Sequence, residues 1–104
     1  MAQFDFYEND EPESKAGIPF LLDVQHDLHK NLATRTVIPL VLIYSADMEL
    51  KKLCPRFNVM GQNVVMSTPE IAGYPVCDLG IKVTSLDDHR TEILGAIDFL
   101  LSGF

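Results

Sequence analysis

Short runs of alternating apolar and polar residues cover most of the chain, and this alternation is typical of β-strands. Polar, turn-forming stretches separate the runs, and one of them, residues 8–17, holds four acidic residues, a proline and a glycine. A second polar stretch, residues 26–34, predicts a loop with one helical turn. The pattern predicts strands at residues 3–7, 18–25, 36–45, 56–60, 63–67, 75–78 and 81–83.

Proline and glycine residues refine this prediction. Pro19 and Pro39 lack the backbone N–H that a sheet interior uses. We therefore expect an edge where the second strand begins, and an edge, bulge or bend at Pro39. Gly61 and Gln62 separate two apolar runs and predict a β-hairpin, and residues 68–74 predict a further turn. Several short strands at this spacing favour a small barrel.

The period of the pattern becomes helical near the C-terminus. From residue 86 to residue 101, apolar residues recur every three or four positions, which predicts an amphipathic helix. Ser85 is placed to cap the first turn of this helix, and Gly103 is placed to end it. Gly95 lowers helix stability by about 1 kcal/mol relative to alanine, so we expect a close backbone contact there. The apolar stripe consists of Ile93, Ile97, Leu100 and Leu101.

Length and charge narrow the range of functions. The 104 residues fit one domain, residues 1–104, with room for one hydrophobic core. The net charge is −7 and the eight basic residues are scattered, so a protein partner is favoured over direct binding to nucleic acid. No apolar stretch has the length of a membrane span and the start has no signal-peptide pattern, from which we expect a cytoplasmic protein.

The sequence holds no recognisable catalytic motif: a nucleophile elbow, a phosphate-binding loop and a dinucleotide-binding glycine pattern are all missing. His26 and His29 have a spacing that binds a metal only when a third ligand exists, and a solvated loop is the favoured interpretation. Cys54 and Cys77 form no CxxC motif and are expected to be reduced, buried and inert. We therefore predict no catalytic residues, no metal and no cofactor.

The C-terminal tip of the helix is the strongest candidate for a binding site. Gly103 and Phe104 leave an aromatic ring and a carboxylate at its end. Three interpretations of Phe104 are open on physical grounds: it folds back onto the barrel, anchors in the pocket of a partner, or packs across a dimer axis.

Six short segments, in order along nearly the whole chain, resemble segments of the CcdB family of toxins from type II toxin–antitoxin systems. The segment at residues 22–27 resembles the VDVQSD segment of that family, and the segment at residues 35–40 resembles its RxVIPL strand. Each segment is short, but their order at this chain length makes the resemblance specific. They are Gln3-Phe4 with Tyr7, Leu22-Asp23-Val24-Gln25 with Asp27, Arg35 with Val37-Ile38-Pro39-Leu40, Leu53 with Pro55, Ala72 with Pro75-Val76, and Ala96-Ile97 with Gly103.

The resemblance implies a mainly β fold, an SH3-like β-barrel with a C-terminal α-helix, in a symmetric homodimer. It implies a toxin that is not an enzyme but binds the A subunit of DNA gyrase and traps the cleaved-DNA complex. It also implies a CcdA-like antitoxin, whose disordered tail wraps the dimer and removes the toxin from gyrase. The contacts of the family with gyrase, carried over to this sequence, are Ser102, Gly103, Phe104, Asp98, His26 and Leu28.

One departure from the family bears on function. Ser102 stands where the family has a tryptophan that stacks on a gyrase arginine, and loss of such an anchor typically costs on the order of 2 kcal/mol or more. Phe104 supplies an aromatic ring close by. Two further functions therefore stay open: a non-toxic chromosomal homologue that retains dimerisation and antitoxin binding, and a ribonuclease like the MazF and Kid toxins. The acidic charge and the dispersed basic residues argue against the ribonuclease.

Overall fold

The structure is a computed structural model that describes residues 2–43 and 51–103. Within these ranges, seven strands form one curled, half-barrel sheet, and one α-helix follows it. The mainly β architecture is confirmed, and it agrees with an SH3-like barrel that carries a C-terminal helix. The elements are β1 (Asp5–Glu8), β2 (Phe20–Asp23), β3 (Thr34–Leu42), β4 (Arg56–Val59), β5 (Gln62–Met66), β6 (Ala72–Pro75), β7 (Lys82–Ser85) and α1 (Arg90–Ser102).

Strand β3 organises the sheet because it pairs with three others. The main path runs β4-β5-β3-β2-β1-β7, and each strand is antiparallel to its neighbours. On one side, β3 pairs with β2 from Leu40 opposite Phe20 to Val37 opposite Asp23. On its other side, β3 pairs first with β6 through residues 34–37 and then with β5 through residues 40–42. The predicted end of this strand, residues 44–45, lies outside the described residues.

The edge predicted at Pro19 is wrong, and of the three arrangements predicted at Pro39, an edge, a bulge or a bend, the structure excludes the edge. β3 is a central strand, and Pro39 has no register partner in β5 or β6, because it lies where one neighbour gives way to the other. Because Pro39 has no N–H, no strand–strand hydrogen bond is lost on the side of β5 and β6. The Pro39 carbonyl accepts the N–H of Ser67 at 3.0 Å. Pro19 precedes β2, which lies between β1 and β3 rather than at an edge.

The hairpin between β4 and β5 is confirmed, with its turn one residue earlier than predicted. Val59 pairs with Gln62, so the turn consists of Met60 and Gly61. Both residues have positive φ, 51° and 77°, as a two-residue type I′ turn requires.

The turn predicted at residues 68–74 is divided between a 3₁₀ turn, Thr68–Glu70, and strand β6. The strand predicted at residues 75–78 is wrong, because Val76–Asp78 is a 3₁₀ turn. The physical reason is the pairing of β6, which ends with Pro75 opposite Thr34, the first residue of β3. The strand predicted at residues 81–83 is present as β7.

Alternation along the strands places apolar side chains on one face of the sheet, and α1 packs against this face. Phe6, Leu22 and Ile38 are fully buried on three neighbouring strands. The rings of Phe6 and Phe20 meet edge to face, with their centroids 5.2 Å apart. Ile93 of α1 is fully buried in the same cluster, so the helix completes the core.

The opposite face of β1, β2 and β3 is also buried, but it carries polar residues. Asp5, Tyr7, Asp23 and Arg35 all lie on this face and are all buried. Cross-strand pairing explains the grouping, because Tyr7 and Leu21 are register partners and Asp23 follows two residues later on the same face.

Helix α1 begins at Arg90, later than the predicted residue 86, because a 3₁₀ turn, Asp87–His89, comes first. The hydroxyl of Ser85 accepts the N–H of Asp87 at 3.1 Å, just before this turn. The predicted cap of α1 by Ser85 is therefore wrong, because the N-cap residue of α1 is His89. Gly95 lies on the exposed side of the helix, and no atom of the described residues is within 4 Å of the position that a Cβ would take. The close backbone contact predicted at Gly95 is therefore wrong.

Candidate functional site

The end of α1 is an exposed surface with a defined backbone. Gly103 ends the helix in the left-handed conformation, with φ of 79°, and its N–H donates to the carbonyl of Phe99 at 2.9 Å. Leu101, two residues before Gly103, is 79% exposed. This arrangement confirms the predicted helix end and presents an apolar side chain to solvent at the tip. Phe104 lies outside the described residues.

Ser102 is exposed, but its hydroxyl is engaged within the helix. Oγ of Ser102 donates to the carbonyl oxygen of Asp98 at 2.7 Å. Such a bond to the preceding turn is a common arrangement of a helical serine. Ser102 therefore contributes little side-chain surface beyond the helix backbone.

A shallow depression runs along the exposed side of α1 up to the tip. Its lining is mostly apolar, with one carboxylate, and consists of Leu94, Gly95, Ile97, Asp98 and Leu101. Asp98 is exposed, so its carboxylate is available at the rim of this surface. Leu94 and Ile97 of this lining are partly buried against the core, whereas Gly95, Asp98 and Leu101 are exposed.

The second group of predicted site residues lies on a short turn, residues 26–30, which we call the histidine turn. Asp27–His29 is a single 3₁₀ turn, which confirms the helical turn expected in this loop. Nδ1 of His26 accepts the N–H of Leu28 at 3.0 Å. Leu28 is 82% exposed, so the turn presents an apolar side chain to solvent, as the helix tip does.

The N-terminal segment attaches the histidine turn to the start of α1. The backbone N–H of Gln3 donates to Oδ1 of Asp27 at 2.8 Å, and Nε2 of Gln3 donates to the carbonyl of Val24 at 3.1 Å. Nη1 of Arg90, the first residue of α1, donates to Oε1 of Gln3 at 3.0 Å. One glutamine therefore joins the turn to the helix, a role that no sequence pattern indicated.

Phe4 lies at the same junction and has a strained backbone conformation. Its φ is 72°, a value that bulky residues rarely adopt. Its N–H donates to the carbonyl of Asp23 at 2.6 Å, and its carbonyl accepts the N–H of Leu86 at 2.8 Å. The ring is buried, with the guanidinium of Arg90 5.4 Å from its centroid. These contacts fix the strand, the N-terminal segment and the start of α1 relative to one another.

The structure does not bring the two groups of predicted residues together within one protomer. The histidine turn is attached to Arg90, whereas Ser102 and Gly103 lie at the other end of α1. A helix of 13 residues spans about 20 Å, which is therefore the approximate distance between the two ends. Among the described residues, no hydrogen bond or ion pair joins the turn to the helix tip.

A buried polar network lies behind the histidine turn. Oδ1 of Asp23 accepts the N–H of Gln25 at 3.0 Å, and Nη2 of Arg35 donates to the carbonyl of Gln25 at 3.2 Å. Nε2 of Gln25 in turn donates to the carbonyl of His29 at 2.8 Å. The network supports the turn from the interior, and its sequence signal was the alternation of Asp23 and Gln25 on one face of the second strand.

The metal-ligating and thiol side chains of the described residues are scattered. In the part of the chain that the structure describes, no group of three or more His, Cys, Asp and Glu residues is arranged to hold a metal ion. Cys54 is buried and Cys77 is exposed, and both are free thiols. The expectation that Cys77 is buried is wrong, because it lies on the exposed 3₁₀ turn where a strand was predicted. Among the described helices, none is long and apolar enough to cross a membrane.

Comparison with known proteins gives the family. The CcdB protein family matches residues 3–103, which is nearly the whole chain and includes the histidine turn and all of α1. Among curated protein sequences, no relative matches the chain. The chain belongs to the CcdB family of toxins from toxin–antitoxin systems.

Proposed function

We propose that this protein is the toxin of a type II toxin–antitoxin system, which binds the DNA gyrase A protein and traps the cleaved-DNA complex. In this proposal it acts in the cytoplasm as a homodimer and makes no direct contact with nucleic acid. The observation that carries the proposal is the exposed end of α1 in a chain of the CcdB family, where Leu101 is 79% exposed.

The proposed mechanism is binding without covalent chemistry. A protein that binds the cleaved-DNA state of gyrase more tightly than the resealed state shifts the enzyme toward broken DNA. The proposed contacts are the tip residues Ser102, Gly103 and Phe104, with Asp98 beside them and with His26 and Leu28 on the histidine turn. A symmetric dimer would present two copies of the turn and two copies of the tip to gyrase.

The proposed partner in neutralisation is a CcdA-like antitoxin with a disordered tail. The net charge of −7 favours a tail that carries basic residues, because opposite charges accelerate encounter and favour the correct partner. The apolar depression along α1, which ends at Leu101, offers such a tail an extended surface.

A second candidate function is a non-toxic homologue that retains only dimerisation and antitoxin binding. The observation in its favour is Ser102, whose hydroxyl is bonded to the Asp98 carbonyl at 2.7 Å and offers gyrase no stacking surface. A serine in this position makes weak affinity for gyrase the natural expectation unless Phe104 supplies the anchor.

A gyrase cleavage assay tests the proposal. Supercoiled plasmid is incubated with gyrase, ATP and the purified protein, and the products are released with detergent and protease. We expect linear DNA in the presence of the protein, and its loss when an antitoxin peptide is added in excess.

The control is the variant Ser102→Trp, which adds an aromatic surface at the tip without changing the described core. We expect it to produce linear DNA at lower concentration than the wild type. If neither folded protein produces linear DNA while both bind the antitoxin peptide, the non-toxic function is correct and the proposal of gyrase poisoning is wrong.

A further inference from the structure

The His26 side chain makes a hydrogen bond that only its neutral imidazole can make. Its Nδ1 atom lies 3.0 Å from the backbone nitrogen of Leu28. A backbone N–H only donates, so Nδ1 must accept and must carry no proton. The bond therefore exists in the neutral imidazole, with its proton on Nε2, and is lost when Nδ1 binds a proton.

This hydrogen bond holds the backbone of Leu28 in the turn. His26 is the N-cap residue of the Asp27–His29 turn and is the only side chain that accepts the N–H of Leu28 among the described residues. The rest of the turn has other supports, since Gln3 N–H donates to Asp27 and Gln25 Nε2 donates to the His29 carbonyl. Loss of the cap therefore loosens Leu28 while the turn stays attached to the protein.

The charged groups around the turn lie on the turn itself and on two neighbouring elements. On the turn itself these groups are Asp27, His29 and Lys30. Asp27 is engaged by the Gln3 N–H, and no ion pair reaches His26 from any described residue. The groups on neighbouring elements are the Asp23–Arg35 pair, which reaches the turn through Gln25, and Arg90, which reaches it through Gln3.

We propose that His26 is a positioning residue for Leu28: its neutral imidazole holds Leu28 in the conformation that contacts gyrase, and protonation of Nδ1 releases it. This inference rests on the proposed function, because it assigns a role to a contact of the histidine turn. It makes the affinity for gyrase sensitive to mild acid, between about pH 7.5 and pH 5.5, where histidine side chains ordinarily change charge.

The variant His26→Asn gives a sharp control. An asparagine side chain accepts the backbone N–H two residues on, as in an Asx-turn, and does not titrate in this interval. It therefore keeps the cap and removes the pH dependence. His29→Gln removes the other imidazole of the turn and leaves the cap in place, and His26→Ala removes the cap at every pH.

Nuclear magnetic resonance of the free protein tests the positioning step without gyrase. We expect the amide signal of Leu28 to shift in step with the protonation of His26 in the wild type and in His29→Gln. The same signal should stay constant over this interval in His26→Asn. A Leu28 amide that does not follow His26, or that shifts equally in His26→Asn, would overturn the proposal.

Binding to a fragment of the gyrase A protein tests the consequence. Loss of one hydrogen bond corresponds to a fall in affinity of about three- to tenfold, and we expect this fall from pH 7.5 to 5.5 in the wild type beyond any change shown by His26→Asn. Equal pH dependence in the two proteins would overturn the positioning role. If the wild type binds no gyrase at any pH, the proposed function fails, and the magnetic resonance result alone decides whether His26 positions Leu28.

Discussion

Arg35 and Asp23 form an ion pair inside the protein, with Nη2 of the arginine 2.6 Å from Oδ2 of the aspartate and both side chains almost fully buried. The Nε atom of Arg35 donates to the same carboxylate oxygen at 2.8 Å. The pair joins β2 to β3 on the face opposite the hydrophobic core. It also supports the histidine turn through Gln25, so its loss affects both stability and the proposed contact surface.

We expect Arg35→Met to destabilise the fold by about 3–5 kcal/mol, because it leaves the Asp23 carboxylate buried without its cation. Urea denaturation at neutral pH measures the loss. The double variant Asp23→Leu with Arg35→Met removes both charges and should recover most of it, since an apolar pair of similar size needs no desolvated charge. A single variant that costs less than about 1 kcal/mol would show that the pair is not buried as described.

The pH dependence of stability reports on Asp23. Burial raises the pKa of this carboxyl above its usual range, because desolvation outweighs the hydrogen bonds from Arg35 and from the Gln25 N–H. Its contribution to stability is therefore fully present below the unfolded-state value, about 3.9, and is lost as the pH rises through the folded-state value. As the pH is lowered toward about 4, the unfolding free energy of the wild type should rise relative to that of Asp23→Asn. The opposite trend, or a constant difference, would contradict this pKa shift.

Tyr7 provides a separate test of the same buried face. Burial, with the Asp5 and Asp23 carboxylates as lesser causes, raises the pKa of Tyr7 to about 12. Tyrosine in the unfolded chain ionises near pH 10, so the neutral side chain stabilises the fold below that value, and this contribution is lost as the pH rises toward 12. Burial also raises the pKa of Tyr74, so ultraviolet titration should show two of the three tyrosines ionising later than an ordinary tyrosine, and Tyr7→Phe should remove the step near pH 12.

The stability of Tyr7→Phe gives an independent result. Within the described residues, the buried hydroxyl of Tyr7 has no hydrogen-bond partner. Removing it relieves a desolvated polar group, so we expect the variant to be as stable as the wild type or more stable, by up to about 2 kcal/mol. A loss of more than about 1 kcal/mol in thermal or urea unfolding would mean that the hydroxyl has a bound partner, such as a buried water.

Two glycines of α1 should respond in opposite directions to alanine. No described residue lies against the position of a Cβ at Gly95, so Gly95→Ala should raise the free energy of unfolding by about 1 kcal/mol through helix propensity. Gly103 has φ of 79°, and Gly103→Ala should cost about 1 kcal/mol because an alanine resists the left-handed conformation. Equal effects in urea denaturation would contradict a helix that ends at Gly103.

Local patterns predicted the parts of the fold that depend on residues close in sequence. The β4–β5 hairpin, to within one residue of its turn, the turn at Asp27–His29 and the helix end at Gly103 follow from turn residues, capping and helical period. The errors concern distant partners. The sequence does not show that β6 and β5 share one side of β3, and this sharing is what accommodates Pro39 and ends β6 at Pro75.

The parts of the candidate site that depend on residues close in sequence were also predictable. The helix tip follows from the period and from Gly103, and the family resemblance added His26 and Leu28. The bonds from Gln3 to Asp27 and from Arg90 to Gln3 join residues 24 and 87 positions apart, and no local pattern signals them. The sequence therefore indicates the exposed helix tip, and the tertiary structure indicates which distant residues are held together.

Binding of gyrase by the end of α1 is tested most directly by removing that end. Calorimetric titration of a fragment of the gyrase A protein compares the full chain with a variant that lacks residues 102–104, after unfolding experiments have shown that both fold. We predict saturable binding by the full chain and a loss of affinity of at least about 30-fold in the variant, the factor that corresponds to about 2 kcal/mol for one anchor. Equal affinity in the two proteins, or no binding by the full chain, would contradict the proposed role of the helix tip.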